Sequence, residues 1–201
     1  QPLGALAISY HLLDLGDSGL TDAEGNVIGN FSFRDHLAIV SFGTRVLPGL
    51  DTGLNFKVFQ ERITCRGQCP DGGGQTGTTY VVDAGIQAVP LADLPLRLGL
   101  MVAHVGPDLQ IINVEQSDPL PTRLRLGASY EVLWQFIEES GLELWVVGEL
   151  EDRWRDLGSP VWYVGSEFLA GEDDVFFLRM GYGRNNAGVA SGASVGLGLR
   201  Y

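Results

Sequence analysis

The stretch that decides the fold is Ala193-Ser194-Val195-Gly196-Leu197-Gly198-Leu199-Arg200-Tyr201. From Ala193 onward, apolar side chains occupy every second position, and small or polar residues stand between them. Successive side chains of a β-strand point to opposite faces, so this pattern predicts a strand with one apolar face. The alternation continues to the aromatic Tyr201, whereas the ends of soluble domains usually fray. We expect the same two-faced pattern along the rest of the chain.

The composition favours an all-β protein. Of the 201 residues, 45% are apolar, but no run approaches the roughly 18 apolar residues that a membrane-spanning helix needs. The 28 glycines, many of them inside strand-like runs, disfavour helix and suit a curved sheet. The formal net charge is −12 and Lys57 is the only lysine, so we expect no nucleic acid partner.

Ten runs of apolar and polar alternation follow one another along the chain. They cover residues 3–13, 37–46, 52–63, 79–89, 95–105, 122–134, 142–152, 159–169, 174–184 and 191–201. Most are longer than the usual strand of about 5–6 residues and match the roughly 9–11 residues of a tilted transmembrane strand. The links between the first six runs alternate between long and short, as in barrels with short periplasmic turns and long outer loops. The sequence therefore predicts one antiparallel, up-and-down transmembrane β-barrel domain over residues 1–201.

This prediction places the chain in the bacterial outer membrane, with outer-membrane lipid around it. Residues 14–36, 64–78 and 106–121 are then the long loops that face the cell exterior. In the last strand, Leu197, Leu199 and Tyr201 form a candidate outer-membrane assembly signal. No charged and apolar leader precedes Gln1, so we expect that a signal peptide has been removed or that the chain is a fragment.

Charged residues of both signs fall on the face opposite to the apolar one. We assign to this inner wall Arg45, Lys57, Glu61, Asp83, Arg97, Arg123, Arg125, Glu131, Glu143, Glu149, Glu167, Arg179 and Arg200. These residues form either an ionic network that replaces an apolar core or a path for a ligand or ion. In a barrel of modest width, the ionic network is the favoured interpretation. An arginine or lysine on the lipid side would cost roughly 2–4 kcal/mol at the midplane.

A soluble β-barrel of the lipocalin type, or a β-sandwich, would show the same alternation with the two faces exchanged. The apolar side would then form the core and the charged side would meet water. Strand length, loop asymmetry, the terminal aromatic residue and the single lysine favour the membrane alternative.

The two cysteines, Cys65 and Cys69, lie close together in a glycine-rich stretch. A local disulfide is the favoured interpretation, since zinc sites usually show a second pair or histidines at a set spacing. A free or metal-binding pair is the alternative.

Other candidate sites have simpler explanations. His11, His36 and His104 share no spacing that indicates a metal or pH-sensing cluster, and Ser9 beside His11 has no orienting partner for catalysis. The acidic residues Asp14, Asp17, Asp22 and Glu24 do not match a calcium-binding loop and indicate a solvated segment. The glycines at 72–74 lack the lysine of a phosphate-binding loop. We therefore expect no enzymatic activity and no cofactor.

Several stretches resemble the PorV/PorQ family of outer-membrane proteins, relatives of the FadL transporters. They are residues 7–17, 52–62, 82–85, 164–168 and 178–182, together with the most specific one, Pro119-Leu120-Pro121-Thr122-Arg123 and the residues up to Gly127. The resemblance extends over nearly the whole chain. It implies a barrel with more strands than ten, of which this chain covers the C-terminal two-thirds.

The resemblance also implies a non-enzymatic role. PorV-like members serve the type IX secretion system, hold secreted cargo at the outer membrane and dock on the translocon. FadL-like relatives instead pass hydrophobic small molecules through the barrel wall. The long outer loops favour a protein partner, such as a translocon, a cargo protein or another surface complex.

Overall fold

The computed structural model describes residues 3–69, 73–90, 93–111, 117–133, 141–171, 175–185 and 191–200. Over these ranges, the regular secondary structure is β-strand. None of the described residues belongs to a helix that is long and apolar enough to cross a membrane.

The strands of the described chain are long. They are β1 (Ala5–Thr21), β2 (Val27–Leu47), β3 (Leu50–Gly67), β4 (Gly74–Ala88), β5 (Leu96–Val105), β6 (Leu109–Gln110), β7 (Ser117–Asp118), β8 (Arg123–Glu131), β9 (Leu142–Arg153), β10 (Asp156–Ala170), β11 (Val175–Asn185) and β12 (Gly192–Arg200).

Ten of the strands form one antiparallel sheet in the order β1-β2-β3-β4-β5-β8-β9-β10-β11-β12. The two short strands β6 and β7 pair with each other separately. The prediction of an all-β antiparallel fold with ten long strands is confirmed. The sheet order begins at β1 and ends at β12, and no pairing joins these two strands within the described residues. The closed barrel therefore stays a prediction.

Each of the ten predicted segments overlaps one strand of the large sheet. The segment 142–152, for example, corresponds to β9 (Leu142–Arg153). Period-two alternation identifies these strands because successive side chains of a strand point to opposite faces of the sheet.

The prediction that residues 14–36 form a long loop is wrong. Strand β1 continues to Thr21 and β2 begins at Val27, so only residues 22–26 connect them. A register shift between Asp14 and Asp17 interrupts the alternation at this point, and Gly16 takes a φ of 74° there. Backbone hydrogen bonds form regardless of side-chain polarity, so the ladder continues where the apolar pattern stops.

The two other predicted loops also contain strand. Strand β3 extends to Gly67 and β4 starts at Gly74, which shortens the predicted loop 64–78. The predicted loop 106–121 contains β6 and β7. Strands of two residues are too short to show a period, so the sequence pattern could not reveal them.

The chain divides into two compact units. The first unit comprises Gln1–Gly43, Leu54–Asp83 and His104–Leu120, and the second comprises Thr44–Gly53, Ala84–Ala103 and Pro121–Tyr201. Few apolar side chains are buried: among the described residues, these are Val81, Ala103, Leu109 and Val175. An ordinary soluble domain of this size would bury a larger apolar core.

Candidate functional site

Strand β4 shows how the two faces of the sheet differ in the first unit. Thr79, Val81 and Asp83 are at most 5% exposed, whereas Tyr80 and Val82 between them are 55% and 42% exposed. Side chains of alternate residues point to opposite faces. The face that carries the charge is therefore the buried one, and large apolar side chains stand on the open one.

In the second unit, too, one face of the sheet carries apolar side chains and the other carries charged ones. Leu126 on β8 lies opposite Leu150 on β9, and these side chains are 48% and 49% exposed. One position away, Arg125 lies opposite Glu151, which is only 7% exposed. We name the surface that bears Leu126 and Leu150 the apolar face and the surface that bears Arg125 and Glu151 the polar face.

A groove of about 680 Å³ lies on the apolar face of the second unit. Its walls include Ile86, Leu98, Leu100, Leu126, Leu150 and Val164. Its lining is almost entirely apolar, so hydrocarbon suits it better than water.

In the first unit, Lys57 and Asp83 form a buried ion pair. The Lys57 Nζ lies 2.5 Å from Asp83 Oδ2, and the two side chains are 13% and 2% exposed. Asn55 Nδ2 donates a hydrogen bond to the same oxygen at 3.0 Å. The His104 backbone N–H donates to Asp83 Oδ1 at 2.9 Å, and His104 adopts a φ of 60°, which is uncommon for a residue other than glycine. The carboxylate thus has three donors, as a buried charge requires.

In the second unit, two arginines on β8 face two glutamates on β9. Arg123 Nη1 lies 2.7 Å from Glu151 Oε1, and Arg125 Nη2 lies 2.7 Å from Glu149 Oε1. Arg125 Nε also lies 3.0 Å from Glu151 Oε2, which links the two pairs. Glu151 is the most buried of the four. The network predicted from the sequence does not include it, although the alternation along 142–152 puts it on the same face as Glu143 and Glu149.

Residues of β5, β8 and β9 form the next cluster of charged and aromatic side chains on the polar face. The Arg97 guanidinium lies 4.5 Å from the centre of the Trp145 ring, and Trp145 Nε1 donates to Glu143 Oε2 at 3.1 Å. Glu131 lies opposite Trp145 across β8 and β9. Arg97 therefore contacts an aromatic ring here, and a cation over a tryptophan face is a favourable contact.

Farther along the polar face, Arg179 on β11 forms an ion pair with Glu167 on β10. The Arg179 guanidinium also lies 5.2 Å from the Phe177 ring, and that of Arg200 lies 5.9 Å from the same ring. A cavity of about 530 Å³ lies on this face, and Arg97, Glu143, Trp145, Glu167 and Arg179 help to line it.

Arg45 has a different setting from the other predicted inner-wall residues. Its Nε and Nη2 atoms donate to the two carboxylate oxygens of Asp51 at 2.7 and 3.1 Å, across the short turn between β2 and β3. The two side chains are 69% and 44% exposed. This pair stabilises an exposed turn, where an ion pair contributes little to stability.

Cys65 and Cys69 form a disulfide bond with an S–S distance of 1.99 Å. The loop that it closes lies against the beginning of β2, because the Gln68 N–H donates to the Ile28 carbonyl at 3.0 Å. At Gly67, whose φ is 105°, a Cβ atom would lie 2.5 Å from the Ile28 oxygen. Only glycine fits this backbone approach, so the disulfide loop lies against the first residues of β2.

The remaining candidates do not converge on one site. Tyr10 Oη and His36 Nδ1 lie 2.6 Å apart on an exposed surface. Asp22 Oδ1 accepts the backbone N–H of Asn26 at 2.7 Å and that of Glu24 at 3.1 Å, which closes the turn between β1 and β2. Across the residues that the structure covers, no three His, Cys, Asp or Glu side chains come together in a way that could hold a metal ion.

Of the candidate assembly signal, Leu197 and Leu199 are described. They lie on β12 and are 72% and 78% exposed. Tyr201 lies outside the described residues.

The functional candidate is therefore the two-faced sheet itself. Its polar face holds several ion pairs, and its apolar face is open. No protein-family model matches this chain, and no curated protein matches it either.

Proposed function

We propose that this chain forms the wall of a bacterial outer-membrane β-barrel and serves, without enzymatic activity, as a component of protein secretion or of another cell-surface complex. One observation carries the membrane part of the proposal. The charged residues Asp83 and Glu151 are buried, while apolar residues such as Leu126, Leu150 and Val164 are about half exposed.

In water this arrangement is unfavourable, because each square ångström of exposed apolar surface costs about 25 cal/mol relative to burial. In a bilayer the same arrangement is favourable, since hydrocarbon contacts the apolar face and the ions pair with one another on the other. The lengths of the strands agree with this setting: β8 and β12, the shortest of the ten, have 9 residues each, which is about the number a tilted strand needs to cross.

The secretion part rests on the sequence resemblance to the PorV/PorQ family. The long hairpin of β1 and β2 provides a surface beyond the membrane-sized part of the sheet, as contact with a protein partner requires. Transport of hydrophobic molecules in the manner of FadL proteins is the alternative, and it would need an apolar path. The ion pairs of Arg123, Arg125, Glu149 and Glu151 on the polar face favour the partner-binding role.

Substitution of an apolar-face residue by arginine tests the membrane setting. We expect Leu126→Arg to lower the free energy of unfolding in lipid vesicles by about 2–4 kcal/mol, because the cation enters hydrocarbon. Leu157→Arg is the matched control, since Leu157 is 60% exposed near the outer end of β10, and it should cost about 0–1 kcal/mol. Denaturant unfolding of vesicle-bound protein measures both values. A Leu126→Arg variant as stable as the unchanged chain would refute the membrane setting.

Purification of the native complex in mild detergent, followed by mass spectrometry, tests the secretion role. A translocon component or a secreted protein should accompany the chain. A barrel that carries only bound lipid or hydrocarbon would favour the transport alternative.

A further inference from the structure

The chain that follows β5 folds back onto the first unit. We call residues 104–111 and 117–120 the strap; they include β6 and β7, which pair with each other. The strap belongs to the first unit, as does β4 up to Asp83. The sequence alone predicted that residues 106–121 form a loop that faces the cell exterior.

Two hydrogen bonds fix the strap to the buried face of β4, which carries Thr79, Val81 and Asp83. The Thr79 hydroxyl donates to the Pro107 carbonyl at 2.7 Å, and the His104 N–H donates to Asp83 Oδ1 at 2.9 Å. His104 has a φ of 60°, and the chain leaves the ladder of β5 one residue later. Thr79 is only 1% exposed, so the strap covers the part of β4 to which it is bonded.

A glycine on β4 makes room for the strap. A Cβ atom at Gly77 would lie 2.8 Å from Ile111 Cγ1 and 2.9 Å from the Gln110 carbonyl oxygen. The same atom would lie 3.1 Å from Leu109 Cδ1, and Leu109 is only 6% exposed. Gly77 lies two residues before Thr79, so this Cβ would point to the same buried face. A larger residue at position 77 would therefore push the strap off the sheet.

We propose that the strap is a fixed partition inside the barrel, which narrows the passage for water-soluble solutes along the buried face of β4. That this charged face is the inside of a barrel rests on the proposed function. The strap adds a second layer of chain there, in space that the barrel wall alone would leave open. A barrel narrowed in this way suits a partner-binding role better than free passage of solutes.

Cysteine labelling of the protein in lipid nanodiscs tests where the strap lies. Thr79→Cys and Gln87→Cys place a thiol on the same face of β4, and Gln87 is exposed. We expect a water-soluble maleimide to label Thr79→Cys at least about tenfold more slowly than Gln87→Cys, because the strap must open locally before the thiol reacts. The native cysteines do not react, since they form a disulfide.

A valine two residues before each thiol separates the effect of the strap from that of the strand. In the Thr79→Cys chain, we expect Gly77→Val to raise the labelling rate about tenfold, because the new side chain displaces the strap. Gly85→Val in the Gln87→Cys chain is the matched control. A Cβ atom there would lie at an ordinary 3.5 Å from the Leu100 oxygen, so the rate should change by less than about twofold.

A second variant and a distant thiol distinguish release of the strap from general unfolding. Leu109→Asp changes the strap and leaves the sheet residues intact, and it should raise the labelling of Thr79→Cys as Gly77→Val does. A thiol placed at Val175, which is 4% exposed in the second unit, should stay protected in both variants. Equal labelling of Thr79→Cys and Gln87→Cys, or no response to either variant, would overturn the position of the strap.

Ion current through the protein in planar lipid bilayers tests what the strap does. We expect Gly77→Val and Leu109→Asp each to raise the single-channel conductance at least about twofold, because a pore conducts according to its narrowest part. Gly85→Val should leave the conductance unchanged. Equal currents in all four proteins, including no current in any of them, would refute the narrowing.

Flotation of the same preparation with lipid vesicles separates this proposal from the proposed function. A protein that floats, yet labels as fast at Thr79→Cys as at Gln87→Cys, keeps the membrane setting and loses the partition. A protein that stays in the aqueous fraction while Thr79→Cys is protected keeps the position of the strap but loses the membrane setting, and the narrowing of a barrel with it.

Discussion

The ion pair of Lys57 and Asp83 helps to fix the register of β3, β4 and β5. A buried charge pair contributes little net stability, but the loss of one partner leaves the other charge without compensation. Asp83 receives hydrogen bonds from Asn55 and from the backbone of His104, in addition to the Lys57 contact. One carboxylate thus joins side chains of β3 and β4 with the backbone of β5, and alternative registers would break this set.

Removal of one charge of the pair should destabilise the protein more than removal of both. We expect Asp83→Asn to lower the free energy of unfolding by about 3–5 kcal/mol, because Lys57 is left buried without a counter-ion. The double variant Lys57→Met with Asp83→Asn should recover a large part of that loss. Denaturant unfolding in lipid vesicles measures each variant, and a double variant less stable than Asp83→Asn would contradict the argument.

The β1–β2 hairpin combines a long backbone ladder with a turn that side-chain hydrogen bonds close. Its two strands pair from Ala5 with Gly43 to Thr21 with Val27, so it extends well beyond the length that a membrane needs. Its turn depends on Asp22, which accepts the backbone N–H and the side-chain amide of Asn26 at 2.7 and 3.0 Å. The side-chain amide of Asn26 and then its backbone N–H hold the pKa of Asp22 below the ordinary value.

The turn should therefore lose stability only in acid. Since the folded pKa of Asp22 lies below its unfolded value, the stabilisation is fully present above that unfolded value, about 3.9. It is lost as the pH falls through the lower folded pKa. In an NMR titration, the backbone amide of Asn26 should follow this protonation with a midpoint below the ordinary aspartate range. Asp22→Asn should abolish the transition, and a midpoint above the ordinary range would contradict the hydrogen-bond assignment.

At the scale of the whole molecule, polarity is distributed in the reverse of the soluble pattern. The buried apolar residues within the described ranges are only four, while the exposed large apolar residues occur on each of the ten strands of the sheet. Soluble monomers rarely expose contiguous apolar patches beyond a few hundred square ångströms. This distribution supports the proposal that the sheet lies in an apolar environment.

We therefore expect the purified chain to stay dispersed in detergent and to aggregate without it. In a mild non-ionic detergent we expect a homogeneous particle with a bound detergent belt, and dilution below the micellar concentration should cause aggregation. Analytical ultracentrifugation with and without detergent measures this. A monodisperse chain in plain buffer would instead support the soluble barrel or sandwich, and a hydrophilic protein of similar size serves as the control.

The apolar and polar alternation of the sequence by itself determined which segments form strands and which residues share a face. The alternation in the sequence places Leu126 and Leu150 on one side and Arg123, Arg125 and Glu149 on the other, because a strand allows only two directions for a side chain. The disulfide of Cys65 and Cys69 was the favoured interpretation of their spacing, and the structure contains that bond.

Only the tertiary structure decided which ions meet and where the strands stop. The pairs of Lys57 with Asp83 and of Arg123 with Glu151 join residues 26 and 28 positions apart, and register between strands sets such pairs. The extension of β1 to Thr21 depends on backbone hydrogen bonds to β2, which polar residues form as readily as apolar ones. Which face is open to its surroundings also depended on the structure, because an alternating sequence is unchanged when its two faces are exchanged.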